Sequence, residues 1–123
     1  MIKRFALFAS LLVMSMWLQG QTKNPTFVQY IEKYKPLAID QQRKHKVPAA
    51  ITIAQGLLES AAGTSELAQN SNNHFGIKCT SDWKGKTVTA DDDKAGECFR
   101  RYAEVSDSYE DHSLFLLRPR YAA

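Results

Sequence analysis

Glu59 is a carboxylate in an unusual setting. It stands near the end of the run Ala50-Ile-Thr-Ile-Ala-Gln-Gly-Leu-Leu-Glu-Ser-Ala-Ala-Gly63, whose other residues are nearly all small or apolar. Removing a carboxylate from water penalises its charged form, so a partly buried Glu holds its proton toward neutral pH, as a general acid must. Read as a helix, the run places Thr52, Gln55, Gly56 and Gly63 roughly on one side by i, i+3, i+4 spacing, and side chains that small leave a groove. The competing reading, an exposed Glu at a helix C-terminus, runs against the helix dipole.

Two further residue types could do chemistry. Cys79 and Cys98 are the only cysteines, and an even count in an oxidising compartment favours one disulfide over two free thiols. Such a bridge closes a loop of about 20 residues and stabilises the fold by roughly 3 kcal/mol on the chain-entropy argument. A zinc site with His74, or a reactive thiol, lacks ligand spacing such as CxxC. His45 and His112 have no evident partner and read as ordinary surface or core histidines.

The elements that position these residues follow from pattern. Met1 to Gly20 carries Lys3 and Arg4, an apolar run from Phe5 to Leu18 and then polar Gln19-Gly20-Gln21, the layout of a secretory signal peptide. The apolar run falls short of the roughly 20 residues a spanning helix needs, so no stable membrane anchor is expected after cleavage. Residues 21–26 read as a polar linker, within which Pro25-Thr26 could start a helix. Phe27, Ile31, Tyr34 and Leu37 or Ala38 recur at helical spacing, with Pro36 as kink or boundary, giving one outer helix or two short ones. Val47-Pro48 then leads into a central helix over Ala50 to Gly63. Ser65 to Gln69 allows one further turn, and Asn70-Ser-Asn-Asn73 signals a loop.

Beyond Phe75 the pattern changes. Phe75 to Cys79, Thr87 to Thr89 and Cys98 to Tyr102 are short β-prone runs separated by turn residues, predicting a small hairpin or three-stranded lobe stapled by the cysteines. Ser106 to Arg118 returns to helical spacing, with Ser106 or Asp107 as cap and Tyr109, Leu114, Phe115 and Leu117 as apolar positions. Helices on both sides of a β-lobe predict an α+β domain with a cleft between lobes.

Length and charge limit the alternatives. The 123 residues, 44% hydrophobic and 24% charged, suit one small domain, here residues 27–123. The formal charge of +3 includes Lys3 and Arg4; without them it is about +1, too small to argue for nucleic acid or an anionic surface. A monomer is expected.

Five co-linear motifs then carry a resemblance: Ala54-Gln-Gly-Leu-Leu-Glu-Ser-Ala-Ala-Gly63, Leu67-Ala68, Asn72-Asn-His-Phe-Gly-Ile-Lys78, Phe99-Arg-Arg-Tyr102 and Arg118-Pro-Arg-Tyr-Ala122. Together they resemble the bacterial endo-β-N-acetylglucosaminidases of glycoside hydrolase family 73, which include flagellar-rod peptidoglycan hydrolases and autolysins. The resemblance implies a lysozyme-like α+β fold and hydrolysis of the β-1,4 bond between N-acetylglucosamine and N-acetylmuramic acid in peptidoglycan glycan strands. It implies no metal or organic cofactor. The signal peptide and the wall substrate together imply export to the periplasm, cell envelope or medium.

By the resemblance, Glu59 is the acid that protonates the glycosidic oxygen. Such hydrolysis usually needs a second carboxylate. Similar enzymes place an acidic residue on the β-lobe strand, where this chain has Glu97; Asp91, Asp92 and Asp93 in the adjacent turn are the alternatives. Calcium is a poor reading of that turn, because an EF-hand counted from Asp91 puts Tyr102 where the bidentate Glu belongs. Asn72, Asn73, Phe75, Gly76 and Lys78 match the segment that lines the family's cleft, where amides bond sugar hydroxyls or acetamido groups and an aromatic ring stacks on a pyranose. Gln55 joins them from the Glu59 helix, and Tyr102 and Tyr121 are read as core or cleft. Trp83 reads as a sugar platform or a cover for the disulfide; His74 carries no assignment.

Relatives in that family continue past the last motif through further helix and a Gly-Tyr-Ala type motif, so the resemblance implies a chain truncated after Ala123. Two other function classes remain open at this point. A lytic transglycosylase shares the fold and the acid but has no attacking water for a second carboxylate to activate. A non-catalytic peptidoglycan-binding module needs neither carboxylate.

Overall fold

Asn24 opens the first helix. The computed structural model of the chain describes residues 24–119; the expected signal peptide, residues 21–23 of the linker and Tyr121 lie outside them. Helix α1 spans Pro25–His45, with the Asn24 side chain accepting from the Thr26 N–H at 3.0 Å and Pro25 in the first turn. A proline there forfeits no hydrogen bond, because the first N–H groups of a helix have no partner. Pro25-Thr26 therefore starts the helix. Pro36 lies inside it and is exposed, so the carbonyl four residues earlier can bond water and α1 continues as one helix. Arg43, Lys44 and His45 complement the negative end of its dipole.

Helix α2 spans Ala49–Glu59 and ends four residues before the sequence pattern suggests. The cause is local. Ala61, Ala62 and Gly63 adopt φ of 50°, 55° and 76°, left-handed backbone that alanine rarely visits. Buried Ser60 locks the turn, since its hydroxyl donates to the Gly56 carbonyl at 2.5 Å and accepts the Gly63 N–H at 2.8 Å. Helix α3 (Glu66–Ser71) follows, capped by Ser65 and stopped at Asn72, whose φ is 57°.

The β-lobe is smaller than a three-stranded sheet. Strands β1 (Thr87–Ala90) and β2 (Glu97–Arg100) pair antiparallel, Val88 opposite Phe99 and Ala90 opposite Glu97, while the Phe75 to Cys79 run contributes a single bridge, Lys78 to Phe99. The Cys79–Cys98 disulfide forms, with Cα atoms 5.4 Å apart. Both cysteines are thereby withdrawn from zinc or thiol chemistry.

Helix α4 (Val105–Leu116) follows the hairpin, with the Glu104 N–H donating to the Asp107 carboxylate at 3.2 Å. Its buried side is Ser108, Tyr109, His112 and Ser113, whereas Leu114 and Leu117, predicted to face the core, are 49% and 47% exposed. Among the described residues no helix is long and apolar enough to cross a membrane.

The core is partly polar where α1, α2 and α4 meet. Tyr30 shares hydrogen bonds of 2.8 Å with Tyr109 Oη and with His74 Nδ1. Gly56 makes this junction possible, because a Cβ there would sit 2.8 Å from Tyr30 Oη and 2.9 Å from Tyr109 Oη. Thr52 and Gly56 are therefore core contacts, and the groove expected along that side of the helix is filled by tyrosine. Gly56→Ala is expected to destabilise the fold by about 1–3 kcal/mol, the usual penalty for overpacking. A thermal melt within a degree of the parent would contradict this packing.

Arg100 ties the β-lobe to α4. Its buried guanidinium bonds Asp111 at 2.9 Å, Thr80 Oγ1 at 2.8 Å and the Lys78 carbonyl at 3.2 Å. Trp83 lies over it at 4.6 Å and edge-on to Tyr102. That ring covers the Arg100 guanidinium.

Candidate active site

Because α2 stops at Glu59, its carboxylate projects from the last turn into a groove of about 480 Å³. Gln55, one turn earlier, shares this face. Opposite stand Gly76, Lys78 and the α4 residues His112 and Phe115. Glu59 is exposed, not partly buried as its neighbours suggested, because the left-handed turn carries the chain away and nothing described packs over the acid. It keeps this place at the unfavourable end of the helix dipole, which costs a surface carboxylate about 0.3–1 kcal/mol.

Gly76 lies beside the acid. Its φ is +61°, and a Cβ there would lie 3.8 Å from Glu59 Oε2. Lys78, two residues on, links Glu59's groove to the hairpin. Its ammonium bonds Glu97 at 2.7 Å and reaches Asp93 at 3.4 Å and Asp92 at 3.8 Å. The bond from Glu97 holds the lysine pKa above its usual value. Glu97 is largely shielded, at 15% side-chain exposure, and also accepts the Lys94 N–H at 3.0 Å. It does not line the groove that holds Glu59.

Asp91 turns away from that lysine. Its carboxylate accepts the Gly96 N–H at 2.8 Å and lines a separate groove of about 740 Å³ beside Ser65, Glu66 and Asn70. That groove is larger and holds the Glu66 and Asp91 carboxylates and the Asn70 amide, but its lining has no imidazole or aromatic ring, both of which stand beside Glu59.

Several expected sugar ligands are occupied inside the protein. Asn73 is 1% exposed; its amide donates to the carbonyls of Ile77 and Arg100 at 2.9 Å and accepts the Ile77 N–H at 3.1 Å. Asn72 donates to the carbonyls of Tyr102 and Ala103, both at 3.1 Å. The buried Asn73 amide thereby joins the Phe75 segment to β2, and Asn72, which stays partly exposed, ties the end of α3 to the stretch after that strand. Phe75 lines the groove, yet its ring is 8% exposed, stacked on His112 at 4.0 Å and met edge-on by Tyr109. Tyr102 is buried, its hydroxyl donating to Asp111. Burial first, and that carboxylate second, push the phenol pKa up.

His112 is the groove residue that sequence reasoning missed. It is 7% exposed, and its Nε2 lies 2.7 Å from Gln55 Oε1. No spacing signals it, because Gln55 and Phe75, its partners, are distant in sequence. His45, the other histidine without an evident partner, bonds Glu110 at 2.7 Å.

Burial pushes both His74 and His112 down to about 4 from the ordinary value of 6.5. The folded state thus favours the neutral rings. Their contribution to stability is complete above about pH 6.5 and is lost as pH falls from there through about 4, since the unfolded chain binds the protons first. The melting temperature is expected to fall across that window, and less steeply in His112→Phe. A flat profile from pH 7 to 4 would contradict the buried neutral rings.

Comparison with known proteins decides the family. A glucosaminidase family model, described as mannosyl-glycoprotein endo-β-N-acetylglucosaminidase, matches residues 35–123. The chain belongs to the glucosaminidase family. Exo-glucosaminidase LytG of Bacillus subtilis is 39% identical over 83 residues, covering 61% of this chain and 29% of the relative. The peptidoglycan hydrolase FlgJ of Vibrio cholerae is 33% identical over 106 residues, 75% of this chain and 31% of the relative. The crystal structure of a peptidoglycan hydrolase from Sphingomonas sp. A1 superposes with a TM-score of 0.68 at 31% identity, covering 76% of this chain and 64% of that one. The chain spans under a third of the length of those two curated relatives. Its α+β architecture is the lysozyme-like fold of the family's solved hydrolases.

Proposed function

We propose that this chain hydrolyses the β-1,4 bond between N-acetylglucosamine and N-acetylmuramic acid within peptidoglycan strands, with Glu59 as general acid. The observation that carries this reading is the placement of Glu59 at the end of α2, in an open groove beside Gln55 and Gly76. A sugar seated there covers the carboxylate, and removing water from a carboxyl favours the protonated form that a general acid needs. The proton passes from Glu59 to the bridging oxygen as the bond from that oxygen to the anomeric carbon breaks. A water oxygen then bonds that carbon, and its proton leaves to a second carboxylate.

Glu97 is our candidate for that carboxylate, with Asp92 and Asp93 on the same lysine as alternatives and Asp91 on the far side of the turn. Lys78 lines Glu59's groove while holding Glu97, so a ligand entering the groove meets the lysine first. Release of that ion pair would free Glu97 to serve the water. Gly76 and Lys78 form the substrate-facing wall, and the buried Asn73 and Tyr102, with half-buried Asn72, hold its shape.

The wall substrate and the Cys79–Cys98 disulfide support action outside the cytoplasmic membrane, where such bridges persist. We read the working unit as a monomer. The similar proteins named as an exo-glucosaminidase and as peptidoglycan hydrolases support the bond class. Incubation of refolded protein with purified cell wall tests the reading, with Glu59→Gln as the paired control. New reducing ends from the parent and none from the variant support it; anhydromuramic ends point instead to a lytic transglycosylase, and binding without cleavage to a binding module.

A further inference from the structure

His112 and Gln55 form a pair that the acid chemistry above does not use. The imidazole is nearly enclosed, stacked on Phe75 with ring planes 18° apart. Its Nε2 faces the Gln55 amide oxygen at 2.7 Å, and its Nδ1 is buried with no hydrogen-bond partner among the described residues. An oxygen can only accept, so Nε2 carries the ring proton and Nδ1 is a bare lone pair. The reverse arrangement, an amide N–H donating to Nε2, would bury an unpaired Nδ1–H and forfeit a donor's hydration. Burial also keeps the ring neutral near pH 7, with its pKa lowered to about 4.

The consequence falls on Gln55. With its oxygen claimed by His112, its two N–H donors are the free end of the side chain, and Gln55 is exposed on the groove wall. Gln55 and Glu59 are one helical turn apart on the same face of α2. An amide that could otherwise rotate to present either oxygen or nitrogen is thereby a fixed donor beside the acid.

We propose that His112 is a positioning residue: by donating from Nε2 to the Gln55 oxygen, it aims the Gln55 amide N–H groups at the acetamido carbonyl of an N-acetyl sugar seated against Glu59. This rests on the hydrolase reading above and deepens it. The acetamido carbonyl fits this site as a strong neutral acceptor adjacent to the scissile bond, and a donor-only contact selects it over the ammonium of a de-acetylated sugar.

Two measurements test the proposal. Nitrogen NMR of labelled imidazoles at pH 7 is expected to show His112 neutral with its proton on Nε2; a proton on Nδ1, or an imidazolium, would overturn it. The kinetic test is a double-mutant cycle on N-acetylated wall, below the melting temperature of every variant. His112→Phe keeps the ring stack without the donor, and Gln55→Leu removes the amide. Each is expected to lower kcat/KM about tenfold, with the double variant no worse than Gln55→Leu alone. On chemically de-acetylated wall the parent and both variants converge. Parent-like kcat/KM in His112→Phe, losses that multiply, or equal losses on both walls would each overturn the proposal. Should the parent cleave neither wall, the hydrolase reading fails, and the positioning role for a bound N-acetyl sugar is decided by whether titrated N-acetylglucosamine shifts the Gln55 side-chain N–H resonances in the parent and not in His112→Phe.

Discussion

Glu59→Gln is expected to lower the rate of cell-wall hydrolysis by about 10²–10⁴-fold, the range a positioned general acid supplies. The same change is expected to leave the fold intact. Glu59 is exposed, makes no ion pair among the described residues and sits at the end of α2 where a negative charge is unfavourable. Neutralising it relieves that repulsion, so the variant's melting temperature is expected to equal or slightly exceed the parent's. This combination separates a catalytic carboxylate from a structural one. A structural glutamate would lose stability and activity together, and the Ser60 lock would be the feature to re-examine. The measurements are reducing-end release and a thermal melt on the same preparations.

The second large effect is on stability. Arg100→Ala removes the charge that Asp111, 19% exposed in the parent, faces at 2.9 Å, and leaves that carboxylate with the Tyr102 hydroxyl. Breaking one side of a buried pair costs about 3–5 kcal/mol, much of it the penalty of an unpaired charge. For a domain of this size each kcal/mol lowers the melting temperature by roughly 4–8 °C, so a drop of well over 10 °C is expected. Activity below the new melting temperature should fall as well, because the Arg100 Nε also holds the Lys78 carbonyl and so sets the wall of the groove. Adding Asp111→Leu should recover part of the stability, by removing the stranded carboxylate, without recovering that wall. A single variant as stable as the parent would mean that the arginine is a passenger in the β-lobe.

Much of the fold is legible because local signals agree with it. Asn24-Pro25, the Ser65 cap and the β-prone runs flanking Cys79 and Cys98 each specify their element with nearby atoms alone. The end of α2 is not legible. Ala61-Ala62 favours helix by propensity, but the Ser60 hydroxyl, tied to Gly56 and Gly63, and the Ala62 N–H donating to the Leu57 carbonyl at 2.7 Å together hold two alanines in left-handed backbone. That error matters for the site, since it decides that Glu59 ends a helix instead of lying inside one.

The burial pattern misleads for a related reason. Apolar periodicity predicts Leu114 and Leu117 inside α4, yet serines, Tyr109 and His112 are buried, because α4 meets α1 through the Tyr30–Tyr109 hydroxyl pair and small side chains rather than a wholly aliphatic seam. His112 therefore looks like a surface residue on a hydrophobicity scale. Asn73 shows the opposite failure, a residue typical of polar loops and binding sites whose amide is fully spent on backbone. Glu59, Gln55, Gly76 and Lys78 do converge as the motif spacing suggests. Glu59 reaches the groove from a helix end, Gly76 and Lys78 from the segment after Asn73, and Gln55 from an exposed position on the face of α2.

The most direct test of the central claim is mass spectrometry of the fragments released from purified peptidoglycan by the parent and by Glu59→Gln. The account predicts fragments ending in reducing N-acetylglucosamine from the parent and almost none from the variant. Equal release by the two proteins would contradict it.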